Sequence, residues 1–287
     1  SIDLNLIEKF ERGQWTLSGE GLTDSTVTSE LGLTGITDVN RRHTAGTITT
    51  GYQFQQTERL SWQLQGAWQT TRYTDAAHFG LTDYEYLSAQ FGPSWNLTEL
   101  ITGSLMLGAD RIKPDAGPQQ KDYSASLQLK RSFSEQYSWR VTAGETRVES
   151  GSGSQGDGNS LLVDIGATRQ GERVSWDAEL RRSVAPIGLG LLAQEDYVAL
   201  SAAISTTERG TLNLAFNLIR TKPVTYFGYV IYSGASWGQI SAEWQHHLSS
   251  HWILSIGYLQ ARARNNDSVW ANGGQARLGI LWQSGRL

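Results

Sequence analysis

The sequence contains no cysteine and a single methionine among its 287 residues. Without cysteine there is no disulfide framework, no thiolate metal site and no cysteine nucleophile. No stretch approaches the run of about eighteen apolar residues that a membrane-spanning helix needs. No signal peptide opens the chain at Ser1. If the protein is exported, we expect the signal peptide, or an upstream domain, to have been removed.

Apolar residues are scarce and tryptophan is abundant. Hydrophobic residues make up 39% of the chain, which is little for a soluble core of this size, whereas there are 11 tryptophans. Amphipathic rings favour the boundary between membrane and water. A net charge of -4 argues against a nucleic-acid partner.

Apolar and polar residues alternate along most of the chain. Leu212, Leu214, Phe216 and Leu218 fall on one face of the segment 211–218, with polar or small residues between them. The segments 60–69, 123–130, 175–181 and 252–258 repeat the pattern. Only a β-strand places successive side chains on opposite faces.

Short and long connections alternate between these segments. The short turns are 57–59, 96–99, 134–136, 171–172, 207–210 and 248–251. The longer polar segments are 72–83, 112–120, 149–157, 185–194, 222–235 and 264–270. Outer-membrane barrels have this asymmetry, because their periplasmic turns are short and their external loops are longer.

The sequence therefore predicts an all-β fold: a transmembrane, antiparallel, up-and-down β-barrel of about sixteen strands in the bacterial outer membrane. We expect residues 1–287 to form this single barrel domain. The predicted strands are 2–10, 13–20, 25–35, 44–56, 60–71, 84–95, 100–111, 121–133, 137–148, 158–170, 173–184, 195–206, 211–221, 236–247, 252–263 and 271–284.

The polar faces of the strands are predicted to line the lumen. Amides and hydroxyls dominate there, and the charges are of both signs, which suits uncharged polar solutes better than one class of ion. The candidate lining residues are Gln63, Gln65, Gln90, Gln128, Arg140, Asp177, Glu179, Arg181, Glu243, Gln245, Arg262 and Arg277.

Most tryptophans fall near predicted strand ends. Aromatic girdles at the two membrane interfaces place them there, although some of them can serve cross-strand packing instead. The candidate interface residues are Trp62, Trp68, Trp95, Trp139, Trp176, Trp244, Trp252 and Trp282.

We predict no catalytic residue, no metal site and no cofactor from the sequence. His246, His247 and His251 surround the turn 248–251 without acidic or cysteine partners at ligand spacing, so a solvated turn is expected there. Ser249 and Ser250 beside these histidines invite a hydrolase interpretation, which we rank last. The glycine-rich segment 151–158 has no lysine and opens no helix, so it is no phosphate loop.

Several hairpins resemble a family of porin-like outer-membrane barrels that accompany exopolysaccharide biosynthesis and export. The segments that carry the resemblance are LTDYEYLSAQFGPSWNLTELITGSLMLGADR at 81–111, LRRSVAPIGLGLLAQEDYVALSAAISTTERGTLNLAF at 180–216, LSSHWILSIGYLQARARN at 248–265 and GGQARLGILW at 273–282. The C-terminal barrel of a polysaccharide-secretion protein fits equally well. The chain departs from many such barrels by ending in WQSGRL rather than on an aromatic residue.

The resemblance implies outer-membrane lipid, a polar solute or polysaccharide, and periplasmic export components as partners. We carry three hypotheses forward. The first is a channel for a polar solute, with exopolysaccharide export as its specific form and the loops 72–83 or 185–194 as its gate. The second is a structural or partner-binding barrel with a plugged lumen. The third is a barrel enzyme acting on lipid or peptide.

Overall fold

The computed structural model describes residues 2–25, 42–74, 81–134, 136–151, 157–224, 234–265 and 270–282, without the side chains of 2, 24, 25 and 265. Within these residues no helix is long and apolar enough to cross a membrane. The residues so described form fifteen strands in one sheet. They are β1 Ile2–Lys9, β2 Gly13–Ser25, β3 Arg42–Gln55, β4 Leu60–Tyr73, β5 Tyr84–Asn96, β6 Ile101–Pro114, β7 Gln120–Ser134, β8 Tyr137–Ser150, β9 Gly158–Gln170, β10 Val174–Ile187, β11 Leu191–Thr207, β12 Gly210–Pro223, β13 Ala235–His247, β14 Trp252–Asn265 and β15 Ala271–Trp282.

The strand order in the sheet follows the chain from β1 to β15, and every neighbouring pair is antiparallel. Two- to four-residue turns join the strands at one end of the sheet, for example 56–59 and 208–209. Most connections at the other end are longer, such as 74–83 and 224–234. We call these the turn end and the loop end. The predicted up-and-down antiparallel architecture is confirmed.

One predicted strand lies almost wholly outside the described residues. The prediction at 25–35 falls on residues outside the described part of the chain, except for Ser25, which belongs to β2. β2 pairs directly with β3 from Gly13↔Phe54 to Ser25↔Arg42, so no strand lies between them in the sheet. The described residues therefore hold fifteen of the sixteen strands predicted.

The two faces of the sheet differ in chemistry. Large apolar side chains project from one face and remain accessible; Leu127 in the middle of β7 is 63% exposed. Gln128, Ser126 and Ser124 alternate with it on the opposite face. In water such an apolar face would be unfavourable, but hydrocarbon stabilises it, as in outer-membrane barrels.

The sheet curves around its polar face. The backbone amide of Thr82, before β5, donates to the carbonyl of Gly188, between β10 and β11, at 3.0 Å. The amide of Leu192 in β11 donates to Oε1 of Gln120 in β7 at 2.7 Å. Strands far apart in the sheet order therefore meet across this face, and the space they enclose is the lumen.

Candidate functional site: the lumen

An amide-rich wall lines the lumen from β3 to β8. Cross-strand register places Gln63 and Gln65 of β4, Gln90 of β5 and Gln128 of β7 on the lumen face. Nε2 of Gln128 donates to Oγ1 of Thr142 at 3.2 Å. Neutral donors and acceptors of this kind exchange hydrogen bonds with water or hydroxyl-rich solutes at little cost in free energy.

A ladder of opposite charges continues the wall across β8 to β11. The Arg140 guanidinium lies 3.1 Å from an oxygen of Asp164 and 3.3 Å from one of Glu179. Arg181 lies 3.6 Å from Glu179 and 3.0 Å from Glu195. Each arginine thus contacts two carboxylates, and the ladder neutralises much of its own charge. Asp177 sits one inward position nearer the turn end than Glu179.

The turn-end half of the lumen holds a cavity of about 970 Å³ between β9 and β15. Asp177, Asn213, Glu243, Gln275 and Arg277 lie among its lining residues, together with serines, alanines and glycines. Glu243 accepts from Gln245 at 2.9 Å, and Gln275 accepts from Arg277 at 2.9 Å. The small residues leave room for a solute, and the polar groups supply its hydrogen bonds.

Eleven of the twelve predicted lining residues share the lumen face, but Arg262 does not. β14 pairs with β15 in one unbroken register from Trp252↔Trp282 to Ala263↔Ala271, without a bulge. Arg262 therefore shares the lipid face with Ile256 and Tyr258, and we correct its assignment. Because it lies near the loop end, its guanidinium can reach the membrane surface.

At the loop end, apolar side chains of the lumen face form a buried cluster that the sequence pattern did not predict. Tyr73, Tyr84, Ile112, Val148 and Leu192 come from five different strands and are all buried. Leu192 lies in the segment 185–194, which we predicted to be a polar external loop. Instead β10 runs to Ile187 and β11 begins at Leu191, so only residues 188–190 form the turn. The sequence did indicate that this segment is buried, because APIGLGLLAQ at 185–194 is mostly apolar.

The interface tryptophans gather at one end of the sheet. Trp62, Trp95, Trp139, Trp176, Trp244, Trp252 and Trp282 all lie on the apolar face near the turn end; Trp68 lies on the same face but well away from it. Trp62 stacks on Phe91, with ring centroids 5.3 Å apart. Trp237 instead points inward at the loop end and is buried. The described tryptophans therefore mark the turn-end interface most clearly.

The histidines at 246–251 assemble no reaction centre among the described residues. His246 and His247 are adjacent in β13, so their side chains leave opposite faces of the sheet. The His246 ring stacks on Trp244 on the apolar face, with centroids 5.3 Å apart. In the described part of the chain, no group of three acidic, histidine or cysteine residues is placed to hold a metal ion.

Comparison with solved structures identifies the fold. The ferric preacinetobactin receptor BauA from Acinetobacter baumannii aligns over 93% of this chain and 54% of its own, with a TM-score of 0.52 and 10% identity. The FrpB iron transporter from Neisseria meningitidis aligns over 88% of this chain and 49% of its own, with a TM-score of 0.51 and 9% identity. The copper transporter OprC aligns over 99% and 64%, with a TM-score of 0.50 and 9% identity.

The chain has the fold of bacterial outer-membrane β-barrels. It spans about half to two thirds of the length of these solved structures. No family model and no curated protein matches the sequence. The predicted barrel class, with the outer-membrane location that this class implies, is thus confirmed, whereas the resemblance to exopolysaccharide-export barrels finds no counterpart among these proteins.

Proposed function

We propose that this chain forms a water-filled passage across the outer membrane for an uncharged or weakly charged polar solute. One observation carries the proposal: amides, hydroxyls and the paired charges of the β8–β11 ladder line much of the lumen face, while large apolar side chains project from the opposite face. A ring of one charge would select ions. Weak and repeated hydrogen bonds let a solute enter and leave.

A saccharide is the solute class that this lining fits best. Gln63 and Gln65 of β4 and Gln128 of β7 present donors and acceptors to the lumen, and the turn-end cavity adds Asn213 and Gln275. Sugar hydroxyls exchange bonds with such groups at little net cost. The finer form of the proposal is export of an exopolysaccharide, in which periplasmic export components would deliver the polymer.

Planar-bilayer recordings test the proposal. The purified protein should form ohmic channels, and neutral oligosaccharides should block the current transiently. Replacing Gln63, Gln65 and Gln128 with leucine should weaken the blockade several-fold, while the apolar-face change Leu64→Val should leave it unaltered. Channels that ignore every saccharide would remove the sugar proposal, and a protein that never conducts would remove the passage itself.

A barrel with a plugged lumen, whose loops bind a partner, is the second candidate, and the packed loop end favours it. Tyr73, Tyr84 and Ile112 fill this end in the arrangement described. The solved structures with the same fold include one receptor named above, the ferric preacinetobactin receptor. Binding of a ferric chelate or another ligand to intact cells, lost on deleting an external loop while conductance stays absent, would favour this candidate over a passage.

We further propose that the chain is not an enzyme. Of the residues in the hydrolase interpretation, His246 and His247 lie on opposite faces, and Ser250 lies in the turn. The purified protein should therefore show no more lipid-modifying activity than the triple variant His246→Ala, His247→Ala, Ser250→Ala. An activity that the triple variant loses would contradict this view.

A further inference from the structure

The loop ends of β10 and β11 leave the wall of the barrel and enter the lumen. β10 pairs with β9 only as far as Arg182↔Val163. Beyond that point both segments are described, yet no pair joins 158–162 of β9 to 183–187 of β10. The sheet is therefore split at its loop end. We call residues 183–195 the flap.

The flap is covered on both faces, which is unusual for a hairpin end at the rim. Ile187 and Leu192 are 2% exposed and Ala193 is 1% exposed. By contrast, the neighbouring tips at 115–117 and 151 are exposed. Leu192 belongs by register to the lipid face of the sheet, yet it packs on lumen residues such as Ile112 and Val148. The flap has thus folded inward over the opposite wall.

The flap has a free edge, a hinge side and a latch. Its β10 side is the free edge beside the split. On the other side β11 remains paired with β12 up to Ala193↔Pro223, so this side is the hinge. The latch is the bond from the Leu192 amide to Gln120 at 2.7 Å, with the bond from Thr82 to Gly188 at the tip.

Pro186 explains why the split persists. The carbonyl of Ile187 accepts from Gly190 in the turn at 2.9 Å, so the backbone groups of Ile187 face β11. Successive strand residues direct these groups to opposite sides, and Pro186 therefore faces β9. Proline has no N–H to donate, which interrupts a ladder at this position.

We infer that the flap is a hinged gate that closes the lumen when it folds inward and opens it when residues 183–187 rejoin β9. The inference rests on the proposed passage function and names the element that regulates it. The register of the intact pairs, continued past Arg182↔Val163, sets the open arrangement. It would bring Ala185 opposite Ser160.

Two engineered disulfides distinguish the arrangements, and the native chain contains no cysteine to interfere. A Cβ placed on Gly190 would lie 3.3 Å from the Thr82 Cβ, close to the spacing of a disulfide, but also 2.8 Å from the Pro114 Cβ. Thr82→Cys and Gly190→Cys are therefore combined with Pro114→Gly, which removes that contact, to trap the closed gate. The positive φ of Gly190, 71°, costs the cysteine there about 1–2 kcal/mol, which the disulfide can offset. Ser160→Cys with Ala185→Cys traps the open gate. In the closed arrangement Ser160 bonds to Gln194 on one face of the flap, while Ala185 lies on the other face.

Cross-linking yield and bilayer conductance are measured on each pair and its single-cysteine controls, before and after reduction. We expect both disulfides to form under mild oxidation. The closed trap should abolish conductance and the open trap should hold it at its maximum, both reversibly. We also expect Pro186→Thr, which restores the missing donor, to raise the open fraction.

Three results would overturn the gate. The first is a closed pair that cross-links while the open pair never does, which would make the flap a fixed plug. The second is conductance that neither trap alters. The third is that both disulfides form, which shows that the flap moves, but the protein conducts in neither arrangement. This third result would also refute the proposed passage. The first two results would leave the proposed passage intact.

Discussion

The charge ladder leads to a prediction about ion preference. Arg181 lies on the lumen face with its guanidinium 3.0 Å from Glu195 and 3.6 Å from Glu179. The next residue, Arg182, lies on the opposite face, where it pairs with Asp196. Arg181→Gln should shift the channel toward cations, whereas Arg182→Gln should not, although the two variants lose the same charge from adjacent positions.

The size of the expected shift in permeability follows from the negative charge of Glu195 and Glu179 that Arg181 no longer balances. A cation passing at about 5 Å from one extra negative charge gains about 0.8 kcal/mol in water. Salt at about 0.1 M reduces this to about 0.5 kcal/mol, slightly more than a twofold enrichment. Anions are depleted to a similar degree, so the cation-to-anion permeability ratio should rise about two- to fivefold.

The Arg181→Gln variant should still fold. The Glu195 side chain is only 11% exposed, so losing its partner costs about 1–2 kcal/mol, more than a surface pair but less than a buried one. Reversal potentials under a salt gradient give the permeability ratio, with Arg181→Lys as the charge-preserving control. An unaltered ratio in Arg181→Gln, or an equal shift in Arg182→Gln, would refute the placement of the ladder in the conducting path.

Two further predictions concern the lipid face. Leu127→Arg, at the middle of β7 on that face, should lower the free energy of unfolding in vesicles by about 2–4 kcal/mol, measured by denaturant titration. The control Ser126→Arg, on the lumen face, should lower it far less. Equal losses would contradict the assignment of faces. Trp62→Ala should lower the free energy of unfolding by about 1–2 kcal/mol in the same assay, because the stack on Phe91 and the interfacial ring are lost. Trp62→Tyr should retain most of that stability. An unchanged stability in Trp62→Ala would show that this ring does not stabilise the barrel at the interface.

The alternation of side chains was sufficient to predict most of the sheet. β7, predicted at 121–133 and observed at Gln120–Ser134, shows why: its apolar residues must meet lipid on one face only, which fixes both the strand and its register. The same argument places Gln128 and Arg140 toward the lumen. Arg262 was misplaced because its charge suggested a wet lumen, although two-residue parity with Tyr258 puts it on the lipid face.

The loop end could not be derived in this way. Strand periodicity describes neighbours within the wall, whereas the contact of Leu192 with Gln120 joins residues far apart in both sequence and strand order. No local pattern in APIGLGLLAQ predicts that the hairpin turns inward. Its apolar character indicates only that the segment does not lie in water. The pairing of Arg181 with Glu195 depends on the register of the β10–β11 hairpin, which the predicted loop at 185–194 did not give.

Residue-by-residue accessibility along β7 tests the assignment of faces most directly. Single cysteines at 124 to 129 can be introduced into this cysteine-free chain, reconstituted in vesicles and treated with a membrane-impermeant thiol reagent and with a lipid-phase quencher. The reagent should modify positions 124, 126 and 128, and the quencher should reach 125, 127 and 129. Uniform labelling, or the reverse alternation, would contradict a sheet whose apolar face meets lipid and whose polar face encloses water.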